Sequence, residues 1–199
     1  MEPIILASGS PRRQDFFRML GLPFTCIPSS IDETPGQGLS PGQTAEDLAR
    51  RKTLAVVEKL NLTGLNRDTR WVFGADTIVV LDNEIYGKPA DRDSAGKMLE
   101  CLAGRRHEVI TAMALYNGKE KKTGCRSVSC DVTFAPLTGA EIEWYLDSGE
   151  WQGAAGAYRL QGLGGCLVSS VNGSPSAVAG LPLHDFYDML RDSGYPFGA

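Results

Sequence analysis

The eleven residues Trp71-Val72-Phe73-Gly74-Ala75-Asp76-Thr77-Ile78-Val79-Val80-Leu81 constrain the fold more than any other stretch of this chain. Aromatic and β-branched residues crowd the segment without helical spacing, so it reads as a core strand. Asp82-Asn83 then offers a turn into a short strand at Glu84-Ile85-Tyr86. One residue does not suit such a strand. Asp76 places a carboxylate between Val72-Phe73 and Ile78-Val79-Val80. Burying it is expensive unless it is paired, coordinated or exposed at a cleft. Two readings follow: an aspartate bonded to backbone amides, or a metal ligand or general base.

Strands and helices alternate around this segment. Further strands are predicted over 3–7, 24–27, 109–116, 126–134 and 166–171. Helices are predicted over 11–20, over about 44–60 with Thr44 as cap and Asp47 at its third position, and from a cap at Asp91 to Leu102. Another helix opens on the capping box Thr138-Gly139-Ala140-Glu141 and ends at Gly149, and a last one covers 183–192. Residues 149–165 are rich in glycine and alanine without helical periodicity, and are expected to form a long structured loop. The alternation predicts an α/β protein with a mixed, twisted sheet flanked by helices. The expected organisation is a single domain over 1–199, with two lobes around a central cleft.

The N-terminal stretch raises a question of charge. Ile4 to Ala7 is apolar, Ser8-Gly9-Ser10 breaks the strand, and Pro11 suits the first position of a helix. Arg12 and Arg13 then fall in that helix's first turn, where the helix dipole disfavours cations. An anion among them would offset the cost. The hydroxyls of Ser8 and Ser10, the amides at the helix start and two guanidinium groups can together cradle a phosphate. The plainer reading is a capped helix carrying two solvated arginines. Lys88 in the rigid turn Gly87-Lys88-Pro89, Lys52 on the second helix and Glu33 in the Ser/Pro-rich loop complete the chemistry-bearing residues.

Composition narrows the class of function. Hydrophobic residues make up 42% of the 199 positions and charged residues 22%, as in a globular domain rather than a disordered chain. A net charge of -4 and a pI near 5.2 argue against the broad basic face of a nucleic-acid binder. No apolar run approaches the roughly 20 residues of a membrane helix, and no signal-peptide pattern is present. Five cysteines without a C-x-x-C pair predict free, mostly buried thiols in a reducing cytoplasm. Two histidines exclude a multi-histidine metal cluster, and no G-x-S-x-G elbow supports a serine triad. Hydrolytic chemistry would therefore rest on carboxylates, lysines, arginines and a hard metal ion.

Taken in order, Ser8-Gly9-Ser10-Pro11-Arg12-Arg13, Asp32-Glu33, Arg51-Lys52, Gly74-Ala75-Asp76-Thr77, Gly87-Lys88-Pro89, Ala155-Gly156-Ala157-Tyr158 with Gln161-Gly162, and Gly180-Leu181-Pro182 resemble the motifs of the Maf family. The resemblance covers nearly the whole chain. It implies an inosine-triphosphatase-like fold and nucleoside triphosphate pyrophosphatase activity with a divalent cation, Mg²⁺ or Mn²⁺, as cofactor. Carried over by position, Asp76 matches the proton acceptor and Glu33 an acidic partner at the same metal-binding site. Lys52 and Lys88 match lysines that face the phosphates, alongside Ser8, Ser10, Arg12 and Arg13. Arg12, Thr77 and Gln161 match the branch that prefers dTTP and UTP, whereas the branch acting on 7-methyl-GTP resembles this chain less, having Glu at the place of Gln161. In many relatives Asp-Lys stands where this chain has Gly153-Ala154. The family often forms homodimers.

The expected activity is hydrolysis of dTTP, UTP and modified pyrimidine triphosphates to the monophosphate and pyrophosphate, a house-cleaning step that keeps non-standard nucleotides out of nucleic acid. The alternatives are a 7-methyl-GTP pyrophosphatase and a non-catalytic nucleotide-binding regulator of cell division. The acid pair Glu33 and Asp76 favours catalysis, because a protein that only binds a polyanion gains little from carboxylates beside it.

Overall fold

The computed structural model describes residues 1–62 and 70–197. Its strands are β1 (Ile4–Leu6), β2 (Phe24–Cys26), β3 (Trp71–Leu81), β4 (Glu84–Tyr86), β5 (Arg106–Asn117), β6 (Lys122–Phe134) and β7 (Val168–Asn172). The helices are α1 (Pro11–Met19), α2 (Pro41–Leu62), α3 (Arg92–Leu102), α4 (Gly139–Asp147), α5 (Pro175–Val178) and α6 (Leu183–Asp192). The strands form a 7-stranded sheet in the order β2-β1-β3-β5-β6-β7, with β4 paired to β3. β1 runs parallel to β2 and β3, whereas β4 on β3 and β7 on β6 are antiparallel. The sheet is mixed, as the alternation of elements implies.

Two compact units are present: Met1–Asp76 with Thr111–Val128 and Gly180–Ala199, and Thr77–Ile110 with Ser129–Ala179. Each has its own core. In the first, Phe17 of α1 packs on Phe24, Phe73 and Phe186 with ring centroids 5.3, 5.7 and 5.3 Å away. These rings join Ile4, Leu6, Trp71 and Met113 in one buried cluster. α2 begins earlier than Thr44. Ser40 and Gln43 form a reciprocal cap, Gln43 donating its backbone N–H to the Ser40 hydroxyl at 3.3 Å while Ser40 N–H donates to Gln43 Oε1 at 2.9 Å. That box, with Pro41 at the first helical position, outcompetes the shortened Thr44–Asp47 version. Thr44 lies buried inside the helix. α2 sits very close to β3: a Cβ on Gly74 would come within 2.4 Å of Thr53 Oγ1 and 3.1 Å of the Ala49 carbonyl. Only glycine allows this approach.

The second unit buries Leu99, Leu102, Val109, Phe134, Tyr145 and Leu146 together. The capping boxes at Asp91–Ser94 and Thr138–Glu141 form as the sequence predicts, opening α3 and α4. β5 and β6 both extend beyond their expected limits, joined by a short turn in which Lys121 takes a positive φ of 54°. The added part of β6 is largely exposed, so its side chains give no apolar strand signal. The stretch over 149–165 lacks α-helix but contains 3-10 turns at Ala155–Ala157 and Leu163–Leu167, the second running past the predicted loop. The four-residue α5, which the sequence reading misses, is opened by Ser174 accepting from the Ala177 amide. All five cysteines are free, but only Cys130 is buried and Cys101, Cys125 and Cys166 are exposed, contrary to the expectation of mostly buried thiols.

His107 lies in this second core, edge-on to Phe134 and Tyr158, with Nε2 2.9 Å from the Tyr158 hydroxyl. Burial holds its pKa at about 4, below the ordinary 6.5. Between those values the imidazole is neutral when folded and protonated when unfolded. The unfolded state therefore binds more protons as pH falls, and stability declines through that window. Denaturant titrations should show wild type losing about 2 kcal/mol between neutral pH and about pH 5 through this residue. His107→Gln, which cannot titrate, is expected to show a correspondingly shallower loss.

Candidate active site

In the first unit three elements converge on Asp76. β3 carries Asp76 at its centre, α2 carries Lys52, and the loop before α2 carries Glu33. The Lys52 ammonium donates to Asp76 Oδ1 at 2.6 Å and lies 2.8 Å from Glu33 Oε1. Side chains of Lys52 and Asp76 are each 9% exposed, whereas Glu33 is 44% exposed. A buried carboxylate and a buried ammonium each need the other, since either alone would be stranded in a poor solvent. The sequence anomaly in β3 is thus met by a lysine 24 residues away.

Glu33 is positioned by its neighbours. Asp32 Oδ1 accepts from the Thr34 amide at 2.9 Å and hydroxyl at 2.7 Å, which closes a tight turn. Those hydrogen bonds, with Arg51 nearby, hold the Asp32 carboxyl below its usual pKa. Arg51 donates to the carbonyls of Asp32 and Thr34 and to Asp47 one turn back on α2. Arg51, the neighbour of Lys52 in the Arg51-Lys52 pair, is the clamp on the Glu33 loop. Its spacing of four from Asp47 is the one local signal for this.

The two arginines at the start of α1 differ. Arg12 is partly exposed, and Arg13 is buried. Arg13 Nε donates to the Gly180 carbonyl at 2.9 Å and Nη1 to Ser8 Oγ at 3.3 Å. Ser8 Oγ also accepts from the Ser10 amide at 3.2 Å, while the Ser10 side chain makes no cap. Burial lowers the Arg13 pKa, and Asp76 and Glu33 act in the opposite direction. Ser8, Arg13, Glu33, Lys52 and Asp76 are therefore electrostatically linked within one unit. The Gly180 carbonyl is a partner no side-chain pattern could reveal.

Thr77, Lys88 and Gln161 belong to the second unit. Thr77 is half-buried on β3, and Lys88 and Gln161 are exposed. The turn carrying Lys88 is tied to the first 3-10 turn, where Gly156 N–H donates to the Gly87 carbonyl at 3.1 Å. Gly156 has φ +64°, and a Cβ there would meet Val79 at 2.8 Å. Ala154 is fully buried, a packed methyl group. Among the described residues, no group of three or more His, Cys, Asp or Glu could hold a metal ion. Glu33 and Asp76 supply hard oxygens at one point, and a divalent ion there would draw its other ligands from substrate phosphates and water. No helix among the described residues is long and apolar enough to cross a membrane.

The sequence profile of the family described as Maf-like protein matches residues 3–193. The chain belongs to the Maf family. Among Maf relatives, a Symbiobacterium thermophilum protein named dTTP/UTP pyrophosphatase is 43% identical, with 98% of this chain and 96% of the relative covered. A Pelotomaculum thermopropionicum protein of the same name is 41% identical over 98% of each chain. An Escherichia coli O157:H7 protein, again named dTTP/UTP pyrophosphatase, is 44% identical over 96% of this chain and 93% of the relative.

The Lys52–Asp76 pair should be measurable as coupling. Lys52→Met leaves the Asp76 charge buried without its ammonium and is expected to cost about 3 kcal/mol. In the double variant Lys52→Met/Asp76→Asn, chemical denaturation should recover a large part of that loss.

Proposed function

We infer that this Maf protein is a nucleoside triphosphate pyrophosphatase that hydrolyses dTTP and UTP to the monophosphate and pyrophosphate. The observation that carries the reading is the buried Asp76 held by Lys52 beside Glu33, in a chain 41–44% identical over nearly its full length to proteins named for that activity. Water attacks the α-phosphorus, the bond to the bridging oxygen breaks, and the electron pair leaves with pyrophosphate. Asp76 accepts the proton of the attacking water through the oxygen that Lys52 does not hold. Lys52 keeps the carboxylate in place and, with Lys88, Ser8, Ser10, Arg12 and Arg13, stabilises charge on the phosphates. Because Arg13 is buried and donates to Ser8 and Gly180, it chiefly sets the field and the loop, and Arg12 is the more exposed of the two guanidinium groups.

Within the first unit, the site residues Arg12, Arg13 and Lys52 oppose two carboxylates, Glu33 and Asp76, which leaves a surplus of one positive charge before substrate enters. That surplus is small against a triphosphate, and it supports a divalent ion, Mg²⁺ or Mn²⁺, held by Glu33 and Asp76. When bound, the ion would neutralise phosphate charge during cleavage. Gln161 can both donate and accept, as the edge of uracil or thymine requires, and Arg12 and Thr77 are assigned with it to base preference. The protein works in the cytoplasm on free nucleotides.

Pyrophosphate release from a panel of nucleoside triphosphates, with Mg²⁺, Mn²⁺ or chelator, tests the reaction. Metal-dependent release favouring dTTP and UTP is expected; tight nucleotide binding without release would make the protein a sensor. Asp76→Asn should lower kcat by about 10²–10⁴-fold with the fold intact by circular dichroism. Gln161→Glu, which loses the donor, should lower kcat/KM for dTTP and UTP by about tenfold or more. Unchanged preference would remove Gln161 from base selection.

A further inference from the structure

Residues 158–164 form a loop of the second unit whose ends are fastened on both sides of Gln161. On the N-terminal side the Tyr158 hydroxyl meets His107 Nε2 at 2.9 Å, and the Arg159 amide donates to the Tyr145 hydroxyl at 3.2 Å. Arg159 Nη2 also donates to the Gln152 carbonyl at 2.6 Å. On the C-terminal side one carboxylate does the work. The Leu163 amide donates to Glu150 Oε1 at 3.1 Å and the Gly164 amide to Glu150 Oε2 at 3.4 Å. Between these anchors Gln161 is exposed.

Glu150 is seated hard against the residue that follows Gln161. A Cβ on Gly162 would stand 2.4 Å from both of its carboxylate oxygens. The two amides it accepts belong to the first residues of a 3-10 turn, where no carbonyl within the turn can serve them. The carboxylate therefore fixes the direction in which the chain leaves Gln161, while His107 and Tyr145 fix the direction in which it enters.

We propose that Glu150 is a positioning residue for base selection, acting through Gln161 by holding the Leu163 and Gly164 amides. The proposal rests on the reading that Gln161 meets the base. Its physical content is a difference in tolerance. Coulombic contacts to phosphates fall slowly with displacement, whereas a donor–acceptor pair on a base edge weakens steeply with angle. Release of the loop should therefore erode discrimination between bases ahead of phosphate binding and turnover.

The test uses the full-length chain and its variants Glu150→Ala, Glu150→Gln, Gly162→Ala and Gln161→Ala, with kcat and KM measured for UTP, dTTP, CTP and GTP. Glu150→Ala is expected to lower the preference for UTP over CTP and GTP about tenfold, chiefly by raising KM for UTP. Glu150→Gln retains one carbonyl acceptor and should recover part of that preference. Gly162→Ala displaces the carboxylate and should reproduce the Glu150→Ala result. In a Gln161→Ala background, Glu150→Ala should add no further loss of preference. An equal fall in kcat/KM for every nucleotide in Glu150→Ala, with no recovery in Glu150→Gln, would reduce Glu150 to a stabilising cap and overturn the proposal. If Glu150→Ala fails to fold, the same ratio in Glu150→Gln and Gly162→Ala decides it: an unchanged preference in both overturns the proposal. Unchanged preference in Gln161→Ala would instead refute the base-reading role itself, and Glu150's role with it.

Discussion

The ammonium of Lys52, 2.6 Å from Asp76 and 2.8 Å from Glu33, is the interaction on which the first unit depends. A carboxylate in the middle of a core strand needs a partner, and here that partner is a cation on an element packed on the strand. α2 provides it, and can do so only by lying almost in contact with β3. Gly74 permits that approach, and the Thr53 hydroxyl beside it settles 2.9 Å from Ala49 and 3.2 Å from Ala114 carbonyls. The glycine two residues before the aspartate and the threonine one residue after the lysine are thus parts of the same arrangement.

Charge at the start of α1 follows the same logic. A guanidinium in a helix's first turn is disfavoured by the dipole, and burial disfavours it again. Arg13 meets both costs through the Gly180 carbonyl, the Ser8 hydroxyl and the field of Asp76 and Glu33. It therefore joins α1 to the turn before α6 and orders the Ser8–Ser10 loop from within. Its neighbour Arg12 is the more exposed of the two.

Local signals were legible and non-local ones were not. The boxes at Asp91 and Thr138 could be read because three residues contain all of their chemistry. β3 could be read because eleven residues are nearly all buried, and Asp76 stood out for that reason. The start of α2 is ambiguous in the sequence because Thr44 and Asp47 imitate a cap that Ser40 and Gln43 complete. The outer part of β6 was missed because an exposed strand segment carries no apolar alternation. That Asp76 would find Lys52, and Arg13 the Gly180 carbonyl, depends on packing across 24 and 167 residues of sequence, which no spacing rule expresses. The glycine-rich stretch over 149–165 was readable only as loop, since its order comes from main-chain hydrogen bonds and close approaches.

Three carboxylates show how environment divides work that sequence alone would treat as equivalent. Asp76 is buried against a cation that holds one of its two oxygens. Glu33 is half-exposed on a turn that Arg51 holds, which suits a ligand that must also reach solvent or substrate. Glu150 accepts two backbone amides and lies flush against Gly162, so its lone pairs already serve the chain itself. A carboxylate spent on main-chain amides is poorly placed to take a proton or a metal, but well placed to fix geometry. The two arrangements are also built separately: the amides that Glu150 holds lie in the second unit, and the Lys52–Asp76 pair lies in the first.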